Sequence, residues 1–262
     1  MTNTTRHTLI LSVLLMQFVS FPSPSHGANM EGSQVRLGQL QMMSTPSPGR
    51  VGALDSLAAE VTQRTSIEVR SGSLSTDAQS DGLFESPLLF LTCNAPLSPP
   101  ALKEQNRLAQ WLRMGGQLIV DWQGGGSQLE EFRTSLGKFL SSVLPGHSLE
   151  RIPRGAVIYR SFYRLKYASG RIRLVDDLYG IKSGGRYVVI VSFNDLLSAV
   201  QRDKHGEFVH NVVPGGARQR EQATRLLVNL VAYALCLDYK DDKVHLDYLK
   251  SRRNWRLPGD DE

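Results

Sequence analysis

The chain has 262 residues, 41% hydrophobic and 21% charged, with a formal net charge of +5. That balance excludes a disordered chain, and the modest basic excess argues against nucleic acid as the partner. The length accommodates one domain of roughly 200–230 residues with a sizeable core.

In chain order, the first segment reads as an address. Arg6 precedes the apolar run "TLILSVLLMQFVSF", and helix breakers and small residues follow, with Ser25 and Gly27 placed as before a cut. This predicts a signal peptide over 1–28, cleaved after Gly27 or Ala28, and an exported, periplasmic protein that is not integral to the membrane after cleavage. The alternative is an uncleaved anchor in the inner membrane, although the run is short of the ~20 residues of a span. Residues 29–34 read as a flexible start. A single α/β domain is expected over 35–253, with a flexible tail over 254–262.

Within that domain, "VRLGQLQM" (35–42) alternates like a strand, and residues 51–64 place Val51, Leu54, Leu57, Ala58 and Val61 on one helical face. "TSIEVRS" (65–71) reads as a short strand. "SPLLFLTCN" (86–94) is a continuous apolar run, as expected of a strand buried on both faces. The next segment predicts a helix capped by Ser98 and ended by Gly115–Gly116. "QLIVDW" (117–122) is the following strand, and helix 128–143 carries Leu129, Phe132, Leu136, Phe139, Leu140 and Val143 on one stripe. Strand and helix alternating at these lengths predict a mostly parallel sheet covered on both faces.

The second half is less regular. It holds an aromatic and basic segment around 156–165, a hairpin turning at Ser183–Gly184–Gly185, and a polar glycine loop over 201–217. Two C-terminal helices close the chain, the first very apolar and the second over about 241–253.

Three places invite chemistry. The turn "WQGGGS" (122–127) lies between strand and helix. It lacks the lysine of a phosphate loop, so a structural turn with a capping box at Ser127 and Glu130 stands beside a backbone anion site. Asp121 ends a buried strand at the edge where open α/β sheets bind ligands, and is either a ligand group or a cap. No Ser or Cys occupies a G-x-S-x-G elbow. From 151 to 173 lie seven cations and no acid, with Tyr159, Arg160, Ser161 and Phe162 adjacent. Arg160 among aromatics would make a fork for carboxylate or phosphate, against a merely solvated basic face. Asn194 and Asp195 close another strand. Asn229, inside an apolar helix, must find hydrogen-bond partners. Cys93 and Cys236 read as buried thiols, with a disulfide permitted by export and no metal site expected.

The stretches "PGHSLERIP…IYRSFY", "GRYVVIVSFNDL" and "REQATRLLVNLVAYALCLDYKDDKVHLDYLKSRR" resemble the bacterial family called domain of unknown function 4159, over about residues 35–253. The resemblance implies a divergent class I glutamine amidotransferase-like fold, a flavodoxin-like three-layer sandwich. The nucleophilic Cys of that fold is absent and Asp121 occupies the region, so amidotransferase activity is not implied. Family patterns are also altered at Thr92-Cys93-Asn94, at Trp122 and at Ala156-Val157. The resemblance implies a place in an envelope-associated assembly.

The expected function is binding of an anionic small molecule or an envelope protein partner, without cofactor. The expected site is built from Asp121, Tyr159, Arg160, Ser161, Asn194 and Asp195. Arg160 would clamp the anion, Asp121 would accept, and the glycine turn would donate. The alternatives are a hydrolase using Asp121 as base, with or without a metal, and a scaffold without a pocket. Asp121 tied up in capping bonds would remove the hydrolase.

Overall fold

The computed structural model describes residues 35–42, 51–70 and 72–235. Its strands are β1 (Gly38–Gln41), β2 (Leu74–Asp77), β3 (Leu88–Cys93), β4 (Gln117–Trp122), β5 (Glu150–Arg151), β6 (Tyr179–Ser183) and β7 (Arg186–Ser192). They form one sheet in the order β2-β1-β3-β4-β7-β6-β5. The first five in that order run parallel, and β6 and β5 extend the sheet antiparallel. The parallel part has the flavodoxin-like order, in which the chain reverses its direction of winding between β1 and β3.

Helices α1 (Val51–Arg64), α4 (Leu196–Val200) and α5 (Gly216–Leu235) cover one face, and α2 (Leu102–Arg113) and α3 (Leu129–Val143) the other. The central strands supply both cores by their two-residue period. Along β3, Leu88 and Phe90 join the core under α1 and α5, while Leu89 and Leu91 join the core under α2 and α3. This is the three-layer α/β sandwich, and it explains why β3 and β4 read as unbroken apolar runs. On α3 the expected stripe is buried at Phe132, Leu136, Phe139, Leu140 and Val143.

Several local expectations are corrected. The strand expected at 65–71 is reduced to one bridge, Val35 to Val69, and the strand forms instead at 74–77. Thr65 sits against the end of α1, donating to Val61 O at 2.8 Å and accepting from Ile67 N–H at 3.0 Å, which holds the chain out of extended pairing. Ser98 does not cap α2. The helix starts after Pro100, and Glu104 accepts from Ala101 N–H at 2.9 Å. Nor does Ser127 cap α3. A 3-10 turn over Gly126–Gln128 leads into it, and Gln128 lacks the extended backbone a capping residue needs. The aromatic segment forms a 3-10 turn, Val157–Arg160. The hairpin turn is as expected, with positive φ at Gly184 and Gly185. The signal segment, Cys236, the second C-terminal helix and the tail lie outside the described residues.

Candidate functional site

A row of polar side chains crosses the sheet near its carboxyl edge, because Thr92, Asp121 and Ser192 stand opposite one another on β3, β4 and β7. Gln39 Nε2 donates to Thr92 Oγ1 at 3.0 Å. Asp121 is 0% exposed. Its Oδ1 accepts from Leu196 N–H at 2.8 Å and its Oδ2 from Leu197 N–H at 3.0 Å. The carboxylate therefore caps α4, satisfying N–H groups that a helix leaves without intrahelical partners. It is an acceptor, but for the protein's own backbone, the capping arrangement that the sequence reading set against a general base.

Asn194 is likewise committed. Its Oδ1 accepts from Leu174 N–H (2.8 Å) and Val175 N–H (3.0 Å), and its Nδ2 donates to Val175 O (2.6 Å). One buried amide thus pins the irregular segment 168–175 to the end of β7. Gly170 is required there, since any side chain would run into Asn194 O. Asp195 follows with φ 56°, a left-handed conformation that an Asp tolerates better than most residues. Arg171 Nε donates to its Oδ2, while its Oδ1 is buried without a partner in the protein.

The expected residues on the other segment do not join this group. Tyr159 is buried, and its hydroxyl accepts from Leu178 N–H at 2.7 Å. Burial pushes its pKa up to about 12, aided by the nearby Asp177 charge. Ser161 donates to Val157 O at 3.0 Å. Arg160 is exposed and, among the described residues, makes neither a hydrogen bond nor an ion pair. The turn that carries them is held by Asn229 of α5, whose Oδ1 accepts from Phe162 and Tyr163 N–H and whose Nδ2 donates to Ile158 O and Tyr163 O.

The glycine turn after β4 has a packing explanation. Trp122 is fully buried and stacks on Phe132 with ring centroids 4.2 Å apart. The chain folds back over that indole, and a side chain at Gly124 would occupy its six-membered ring. Trp122 is thus a core residue, and the turn closes over it.

The concavity with free polar groups lies beside the segment pinned by Asn194. A cavity of about 250 Å³ is lined by Tyr167, Ser169, Arg173, Pro214, Gly215, Arg218 and Gln219. Ser169 is 1% exposed and its hydroxyl has no partner. Arg218 is exposed and without an ion pair among the described residues, while Arg173 lies over Tyr167 and is clasped by Asp176 at 2.7 and 2.9 Å. Gln219 ties the walls together, accepting from Gly215 N–H and donating to Gly170 O and Val213 O. Among the described residues, no group of three or more His, Cys, Asp and Glu side chains is arranged to hold a metal.

The model of the family described as domain of unknown function (DUF4159) matches residues 40–235. The chain belongs to that family. A comparison with curated proteins returned no match. The DUF4159 match ends at the last described residue of α5, so both asparagine clamps and the cavity lie within it. Ser169, Arg218 and Gln219 are not among the residues picked out from the sequence. The signal available for them is Pro214-Gly215 ahead of a 20-residue helix that opens on Gly216, the same kind of glycine-led helix start that draws attention at Gly124–Gly126.

Proposed function

We propose that this DUF4159 chain is an exported binding domain that recognises an anion, either a small molecule or the acidic surface of an envelope protein, and does not transform it. One observation carries the reading. Asp121 and Asn194 at the carboxyl edge are bonded to backbone, whereas cations on the adjoining irregular segments, Arg160 and Arg218 among them, have no hydrogen bond or ion pair among the described residues. A clamped backbone carrying free guanidinium groups leaves little loop ordering to oppose association, and the ordering cost that remains is that of the arginine side chains themselves. Export is supported by the pattern of residues 1–28 alone. Among the described residues no helix is long and apolar enough to cross a membrane.

The test is a thermal-shift screen of the full chain against anions, sugars, nucleotides and divalent metals, paired with an assay of model ester and amide hydrolysis. Anions should raise the melting temperature. No turnover should depend on Asp121, and Asp121→Asn should instead lower stability by ~2–3 kcal/mol, since Asp121 gives one oxygen to each N–H and an amide in the same place turns its NH2 toward one of them. Turnover that disappears in a well-folded Asp121→Asn variant would overturn the reading and restore the hydrolase.

A further inference from the structure

We propose that the cavity at the start of α5 binds the phosphate group of a small phosphomonoester. This rests on the anion-binding reading and places its site at Ser169 and Arg218 rather than at Arg160.

The helix supplies the field. The α5 helix is 20 residues long, and its first-turn N–H groups have no carbonyl one turn earlier to bond. Aligned peptide dipoles leave about half a positive charge at that end. Gly215 N–H is not available, because Gln219 Oε1 accepts from it at 2.9 Å. That bond, with those from Gln219 Nε2 to Gly170 O (2.9 Å) and Val213 O (2.8 Å), fixes the helix start against the opposite wall. The walls are built before any ligand arrives.

The second observation is independent of the helix. Ser169 belongs to the cavity wall, is 1% exposed, and its hydroxyl has no partner. Buried hydroxyls are nearly always bonded, so an orphan in a cavity wall has hydrogen-bonding capacity left to give a ligand atom. Arg218 adds a free guanidinium, and Arg173 keeps its charge close although Asp176 offsets part of it. A helix end, a hydroxyl and two guanidinium groups offer more donors and more positive charge than a carboxylate monoanion uses, which suits a phosphate dianion with its three acceptor oxygens. The space of about 250 Å³ exceeds what one phosphate fills, and Tyr167 in its wall offers contact for a small organic body.

Isothermal titration calorimetry on the full chain at low salt would use inorganic phosphate, glycerol 3-phosphate and acetate. Both phosphates should bind, glycerol 3-phosphate the more tightly, and acetate should not. Arg218→Ala should weaken binding about tenfold or more, as loss of a charge-assisted contact does. Ser169→Ala should weaken it at an unchanged or higher melting temperature, because the hydroxyl makes no bond within the protein to lose. Arg160→Ala should bind like the parent.

Unchanged affinity in both Arg218→Ala and Ser169→Ala would overturn the site. If Arg160→Ala alone abolished binding, the anion-binding reading would stand and the α5 site would fall. Binding of inorganic phosphate with exclusion of glycerol 3-phosphate would overturn the phosphomonoester assignment. Absence of binding by any anion would overturn both readings.

Discussion

Asp121, Asn194 and Asn229 are each 0% exposed, and each bonds to backbone that no neighbouring strand or helix supplies with partners. A buried polar side chain is tolerated only when bonded, and these three turn that requirement into positional control. The need for partners is legible in the sequence for Asn229, an amide inside an apolar helix. Their identity is not, because Phe162 and Tyr163 lie more than sixty positions away. Cys93 shows the opposite behaviour at the same edge. Burial, with the Asp121 charge beside it, pushes its thiol far above the ordinary range, so the reactive thiolate is suppressed. In a Cys236→Ser variant, the remaining thiol should resist iodoacetamide at pH 8 in the native protein and react on unfolding. Mass spectrometry of the native protein would show the contrary result as rapid single labelling.

Elements are joined by a few long-range polar contacts across otherwise apolar packing. Asn229 couples α5 to the segment 158–163 through four hydrogen bonds of 2.7 to 3.1 Å. Replacing it with Leu would leave those backbone groups unsatisfied, at a cost of ~3–5 kcal/mol. Chemical denaturation would measure the loss, and hydrogen exchange should show Phe162 and Tyr163 amides deprotected first. Arg64 of α1 couples to Glu221 of α5 by two bonds, at 2.9 and 3.0 Å. The guanidinium groups of Arg64 and Arg225 hold the Glu221 carboxyl below its usual value of 4.5. A depressed folded pKa contributes stability above the unfolded value, and that stability is lost as pH falls through the folded one. Melting temperature should therefore drop below about pH 4.5, by a modest amount for a half-exposed pair, and Glu221→Gln should flatten that part of the profile.

Over the whole molecule, stability is graded across the sheet. Strands β3, β4 and β7 are buried on both faces at its centre, while β5 is two exposed residues at one edge. Amides of Leu89–Leu91, Leu118–Val120 and Val189–Val191 should exchange only by global unfolding, and those of Glu150 and Arg151 far sooner. Native-state exchange followed by mass spectrometry checks the order. Equal protection at the edge would show that this strand is covered in solution by something more than the described residues.

The sequence by itself determined the layers. Continuous apolar runs of strand length, separated by amphipathic stretches of helix length, have few ways to bury themselves other than as a covered parallel sheet. Hence β3, β4, α3 and the hairpin of β6 and β7 were legible. The short pieces, β2 and α4, were not, because four or five residues carry too little periodicity and are held by partners distant in the chain. The site was legible only as a region. Which polar groups are committed and which are free depends on what the fold brings beside them: Asp121 meets the start of α4, Asn194 meets residues 174 and 175, and Ser169 meets an open cavity at the start of α5. Hydrogen-bond partners are set by distance in space, and distance in space is decided by the tertiary structure.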